Sequence, residues 1–138
     1  MDFLYQDPYP ILKDDTQYKK LTSDYVKVEQ LGDREILVVD PKGLKLLAQE
    51  AMDDVSFMLR SAHLQKLRNI IEDPEATDND RFVAYNLLQN AAVAVEGQLP
   101  SCQDTGTAIV VAKKGENVYT GVDDGEWLSR GIYNTYQN

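Results

Sequence analysis

Glu35-Ile36-Leu37-Val38-Val39-Asp40-Pro41-Lys42-Gly43-Leu44-Lys45-Leu46-Leu47-Ala48 is where the chain passes from one kind of backbone to another. Upstream, Tyr25-Val26-Lys27-Val28-Glu29 alternates, and Gly32-Asp33 separates it from Glu35–Val39. Alternation on both sides of a turn signal predicts a β-hairpin. Asp40-Pro41 then predicts a helix start. Asp caps exposed N–H groups, and Pro suits the first helical position because its missing N–H has no partner to lose. Leu44, Leu47, Ala48, Ala51, Met52, Val55 and Met58 keep a 3.6-residue period, with Lys45, Gln49, Asp53 and Asp54 elsewhere on the wheel. The helix should run to about Leu59 with that face inward, and Met52, Phe57 and Met58 are core residues rather than a cofactor box.

Further along, Ser61 can cap a second helix carrying Leu64, Leu67 and Ile71, ending before Pro74. Thr77 or Asp78 can cap a third, with Val83, Leu87, Ala91 and Val95 spaced by four and Gly97 as its stop. Thr107-Ala108-Ile109-Val110-Val111-Ala112 is short, apolar and β-branched, which predicts a buried strand. Lys114-Gly115-Glu116-Asn117 reads as a turn and Val118-Tyr119-Thr120 as a second short strand. A last helix begins at Asp123 or Asp124, with Leu128, Ile132 and Tyr136 spaced by four. Residues 1–20, with Pro8 and Pro10, read as an arm lying on the domain. The expected fold is therefore α/β (mixed α+β), as one domain over 1–138. An N-terminal β-hairpin precedes about three helices, then come short buried strands and a C-terminal helix.

The chain has 138 residues, 43% apolar and 27% charged, a soluble globular composition. At this size, folding is expected to hide roughly 68–70% of the unfolded surface. A single cysteine excludes a disulfide scaffold. No apolar run approaches the roughly 20 residues of a membrane span. The net charge of −9 repels phosphate backbones and anionic lipid heads, which argues against nucleic-acid and membrane binding. The N-terminus has no basic region ahead of an apolar one, so it does not read as a signal peptide. With one free thiol, the expected compartment is the reducing cytoplasm. The final helix reaches Thr135-Tyr136-Gln137-Asn138 without a stop signal, so the chain is expected to be a piece of something longer, exposing apolar surface where the remainder packs.

Chemistry concentrates in Pro100-Ser101-Cys102-Gln103-Asp104-Thr105-Gly106-Thr107. A thiol, an amide and a carboxylate follow one another in a loop between two predicted elements, and Gly106 lets backbone approach a ligand closely. The same types also suit a small buried cysteine followed by turn residues. His63 is the one histidine; it pairs with Cys102 in a thiol–imidazole enzyme only if the fold joins them. Lys113-Lys114 fits an anion site or a solvated turn tip. Of the acidic pairs, Asp123-Asp124 suits helix capping, Asp53-Asp54 a polar helix face, and Asp14-Asp15 lies in the arm. Without a second cysteine or a histidine pair, the chain cannot close a zinc site from soft ligands, and one thiolate holds an iron–sulfur cluster only with thiolates from elsewhere. No Gly-x-Gly-x-x-Gly or P-loop pattern is present.

Leu99-Pro100-Ser101-Cys102-Gln103-Asp104-Thr105-Gly106-Thr107-Ala108-Ile109-Val110 resembles the class I, iron–sulfur-dependent fumarate hydratases. So do Lys13-Asp14-Asp15-Thr16, Leu21-Thr22-Ser23-Asp24-Tyr25-Val26, Ser56-Phe57-Met58-Leu59-Arg60 and Leu128-Ser129-Arg130-Gly131-Ile132-Tyr133-Asn134-Thr135-Tyr136, which are similar to the N-terminal region of those enzymes. The resemblance implies an N-terminal α/β domain, a 4Fe-4S cluster on three cysteines, and reversible hydration of fumarate to S-malate by a cytosolic homodimer. It places Cys102 as the first cluster ligand and Gln103 and Asp104 against the dicarboxylate, with Asp104 a candidate for proton chemistry. The other ligands and a C-terminal part would lie beyond Asn138, leaving this piece catalytically incomplete. A different expectation is a non-catalytic interaction or regulatory domain that keeps the fold.

Overall fold

The computed structural model describes residues 3–10, 17–101 and 107–137. The chain runs β1 (Val26–Leu31), β2 (Arg34–Val39), α1 (Pro41–Phe57), α2 (Ser61–Glu72), α3 (Asp78–Ala94), β3 (Val118–Tyr119) and α4 (Asp124–Gln137). This is the expected mixed α/β class.

β1 and β2 pair antiparallel from Val26↔Val39 to Leu31↔Arg34. That register leaves a two-residue turn in which Gly32 takes φ 65°, the left-handed region that a Cβ disfavours. β3 joins the other edge of β2 in parallel, Leu37 opposite Val118, so β2 is central. The Asn117 carbonyl accepts the Leu37 N–H at 2.8 Å.

The strand-to-helix switch falls at Asp40-Pro41. The Asp40 carboxylate accepts the Lys42 N–H at 2.8 Å, and Pro41 is the first helical residue. α3 starts with a reciprocal cap: Asp80 N–H donates to Thr77 Oγ1 at 3.2 Å, and Thr77 N–H donates to the Asp80 carboxylate at 2.9 Å. α2 differs in detail. Ser61 is its first helical residue rather than its cap, and the Arg60 side chain makes no capping bond.

α1 packs chiefly on α4, and α2 on α3, with only slight contact between α1 and α3. The α1–α4 crossing is close because Gly131 faces Ala48. A Cβ on Gly131 would lie 2.2 Å from the Lys45 carbonyl oxygen and 2.8 Å from the Ala48 Cβ. The Thr135 hydroxyl donates to the Gln49 carbonyl at 2.9 Å, and the Asn134 amide donates to Gln49 Oε1 at 3.1 Å, so α4 is latched to α1 beyond the crossing.

Three expectations fail on burial. Thr107–Ala112 is not a strand: it carries no strand hydrogen bonds, and Ile109 is 81% exposed. A strand exists only with a neighbour, and this segment pairs with none of the described strands, although β1 and β3 each keep an open outer edge. Of the predicted α1 face, Ala48 is buried and Leu44 and Met52 are half-buried, but Leu47, Ala51, Val55 and Met58 are exposed, because α4 covers only the flank around Lys45, Ala48 and Gln49. On α3, Val83 and Val95 are exposed while Ala84 and Ala94 are buried, since α2 covers one side only. The buried apolar residues among those described are Ala48, Leu67, Ala84 and Ala94. The accessible surface is 11326 Å², whereas a compact monomer of 15.6 kDa shows about 7,200 Å². Folding therefore hides about half of the unfolded surface rather than 68–70%. The described part of the arm is exposed, tied to the domain by an ion pair between Asp7 and Lys113.

Candidate functional site

Cys102, Gln103 and Asp104 lie outside the described residues, as do Asp14 and Asp15. The chain leading into the loop is described, and it is held firmly. Ser101 is 5% exposed, and its N–H donates to the Ser56 carbonyl at 2.7 Å. Ser56 is itself buried in the last turn of α1, with its hydroxyl donating to the Met52 carbonyl at 2.7 Å. The residue before Cys102 is thus fixed to the C-terminal turn of α1, where small side chains on both sides let the two backbones meet.

Beside this anchor lies a cleft of about 560 Å³ between the ends of α1 and α4, lined by Gln49, Glu50, Asp53, Ser56, Pro100 and Tyr136 among others. Gln49 and Thr135, two of the latch residues, also line it. One long-range latch therefore joins α4 to α1, the helix whose last turn holds Ser101. Nothing local in the sequence announces it, because the partners lie 85 and 86 residues apart.

The other candidates separate clearly. His63 is exposed on α2. Asp53 lines the cleft, so the Asp53-Asp54 pair is not wholly a solvated helix face. Asp123 caps α4, accepting the Glu126 N–H at 3.2 Å. Asp124 forms an ion pair with Lys114 and accepts from the Thr120 hydroxyl, whose residue is buried. The Lys114 ammonium, and then the Thr120 hydroxyl, hold the Asp124 carboxyl below its ordinary 3.8. Lys113 is paired with Asp7, whose carboxyl it lowers in the same way, with help from the Tyr9 N–H. Both lysines are thus exposed, as a solvated turn tip would be, and each is paired with a carboxylate rather than forming an open anion site.

Among the described residues no group of three or more His, Cys, Asp or Glu could hold a metal ion. No helix among them is long and apolar enough to cross a membrane. The donor chemistry of the whole chain is one soft thiolate. That fits one corner of a cluster and requires the remaining thiolates to come from other sequence.

A family model described as Fumarate hydratase (Fumerase) matches residues 45–138. The chain is 54% identical over 134 residues to the anaerobic class I fumarate hydratase of Escherichia coli (strain K12), an alignment covering 97% of this chain and 24% of the relative. It is also 54% identical over 134 residues to the aerobic class I fumarate hydratase of Salmonella typhimurium, covering 97% of this chain and 23% of the relative. Against fumarate hydratase 1, mitochondrial, of Leishmania major the identity is 51% over 125 residues, covering 89% of this chain and 23% of the relative. The chain spans about a quarter of the length of the relatives it matches.

Proposed function

The chain belongs to the class I fumarate hydratase family, and on that premise we propose that it is the N-terminal, cluster-carrying portion of an enzyme that reversibly hydrates fumarate to S-malate. The observation that carries this reading is the 54% identity over 97% of the chain. The Cys102 loop lies inside the segment that the family model matches.

Cys102 would supply one thiolate of a 4Fe-4S cluster, and the cluster would supply Lewis acidity toward the substrate. The rest follows from side-chain chemistry. The Gln103 amide donates to a substrate carboxylate, and Asp104 accepts from the substrate hydroxyl or from a group that positions it. Facing a dianion, the Asp104 carboxyl is the candidate of this chain for proton transfer. The Ser101–Ser56 bond fixes where the loop starts, and so where these three side chains can reach.

A dicarboxylate dianion also needs cations. The −9 charge and the pairing of Lys113 and Lys114 leave the cationic part of the pocket to other sequence. The chain alone is therefore inactive in this reading, and the complete protein is a homodimer in a reducing compartment, the cytoplasm. The test is anaerobic assembly of the complete hydratase with iron and sulfide. Visible absorbance and fumarate hydration should arise together and be lost together in Cys102→Ser. Hydration that persists in Cys102→Ser would overturn the assignment. Turnover of tartrate or a methylated fumarate in preference to fumarate would keep the hydro-lyase chemistry and correct the substrate.

A further inference from the structure

α3 carries no charged residue from Phe82 to Val95, in a chain that is 27% charged and has a net charge of −9. Its inner side rests on α2, with Ala84 buried. Its outer side presents Phe82, Tyr85, Gln89 and Val93 at the three- and four-residue steps of one helical stripe. All four are exposed, Phe82 by 66% and Tyr85 by 54%. An uncharged, aromatic-bearing stripe has the composition of an interface core rather than of a solvated face.

We propose that this outer face of α3 is a docking surface for the remaining sequence of the same polypeptide, which covers it with an apolar segment in the complete hydratase. The length of polypeptide outside this sequence selects that occupant over a second copy of the chain. The relatives are about four times as long as the aligned region, so three quarters of the polypeptide lies outside this sequence. The inference rests on the chain being one portion of a longer hydratase, but not on the identity of the substrate or of the cluster.

The test is hydroxyl-radical footprinting of Phe82 and Tyr85 in the 138-residue chain and in the complete polypeptide, over a range of protein concentrations. The expected result is oxidation at least ten-fold slower in the complete protein, with no dependence on concentration. Equal rates in the two proteins overturn the proposal. So do crosslinks from α3 that join light to heavy copies in co-assembled, isotopically mixed protein, because a second copy is then the occupant. As a second readout, Phe82→Glu with Val93→Lys should leave the helicity and melting of the 138-residue chain unchanged and lower the soluble yield of the complete polypeptide at least five-fold, while Phe82→Leu keeps the yield. An unchanged yield for the charged variant contradicts the proposal. Neither readout uses activity, so a wrong substrate or cofactor assignment does not alter it.

Discussion

Gly131→Ala probes the packing of α4 on α1, the helix whose last turn holds Ser101. The added Cβ would lie 2.2 Å from the Lys45 carbonyl oxygen, 2.8 Å from the Ala48 Cβ and 3.0 Å from the Gln49 nitrogen. An unstrained carbon–oxygen contact is about 3.3 Å, so α1 and α4 must separate by about 1 Å. The nearest obstacle is backbone, which cannot rotate away. Overpacking of this kind costs about 3 kcal/mol, at the upper end of its usual range. Replacing Gly by Ala inside a helix returns about 1 kcal/mol of helix propensity. The net expectation is a loss of about 2 kcal/mol, or about 6–10 °C in melting temperature for a domain of this size. Urea and thermal unfolding followed by far-UV circular dichroism measure it directly. Gly125→Ala is the control on the same helix. Its Cβ meets only the Asp123 carboxylate, at 3.2 Å, and that side chain can move. It should stay within about 0.5 kcal/mol of the parent. Adding Ala48→Gly to Gly131→Ala removes one obstacle but leaves the Lys45 carbonyl, so it should not restore stability. A Gly131→Ala protein at least as stable as the parent would refute the close crossing and the reasoning built on it.

Other perturbations have equally definite outcomes. Thr77→Ala should cost about 1 kcal/mol by removing the α3 cap, while Thr77→Ser keeps it, as read from urea midpoints. Gly32→Ala should cost about 1 kcal/mol, because the hairpin turn needs φ 65° there, and Gly32→Asn should cost less. The Asp124 carboxyl is lowered by Lys114 and Thr120, so its contribution is present above the ordinary value near 3.8 and is lost as pH falls through the lower folded value. Asp124→Asn should therefore be less stable than the parent at about pH 6, with the difference shrinking toward about pH 2.5. A difference that is constant with pH would show that the ion pair contributes nothing through titration.

Local signals were legible in the sequence, and pairings across long sequence distances were not. Asp40-Pro41, the Thr77-Asp78 pair and Gly32-Asp33 each satisfy backbone groups within a few residues, so residue type places the starts of α1 and α3 and the hairpin to within a residue, whereas Ser61 proved to be the first residue of α2 rather than its cap. The Thr107–Ala112 run has the composition of a buried strand, but composition does not supply a partner, and none of the described strands pairs with it. The inward face of α1 was misjudged for a related reason. Seven apolar residues on a 3.6 period define a broad face, and Gly131 decides which flank of it α4 reaches. At the site, the sulfur, amide and carboxylate of 102–104 stand out as residue types, and the resemblance gives them roles. The supports around them, Ser56 to Ser101 and Gln49 to Asn134 and Thr135, join segments 45 to 86 residues apart and carry no local signature.

The most direct test is the iron and acid-labile sulfide content of the complete polypeptide after anaerobic assembly, beside its Cys102→Ser variant and the 138-residue chain. About four iron and four sulfide per polypeptide are expected in the parent, and little retained iron in the other two, since the variant lacks one thiolate and the short chain lacks all but one. A full complement of iron in Cys102→Ser, or a stable cluster in the 138-residue chain by itself, would contradict the assignment of Cys102 as one of three thiolate ligands.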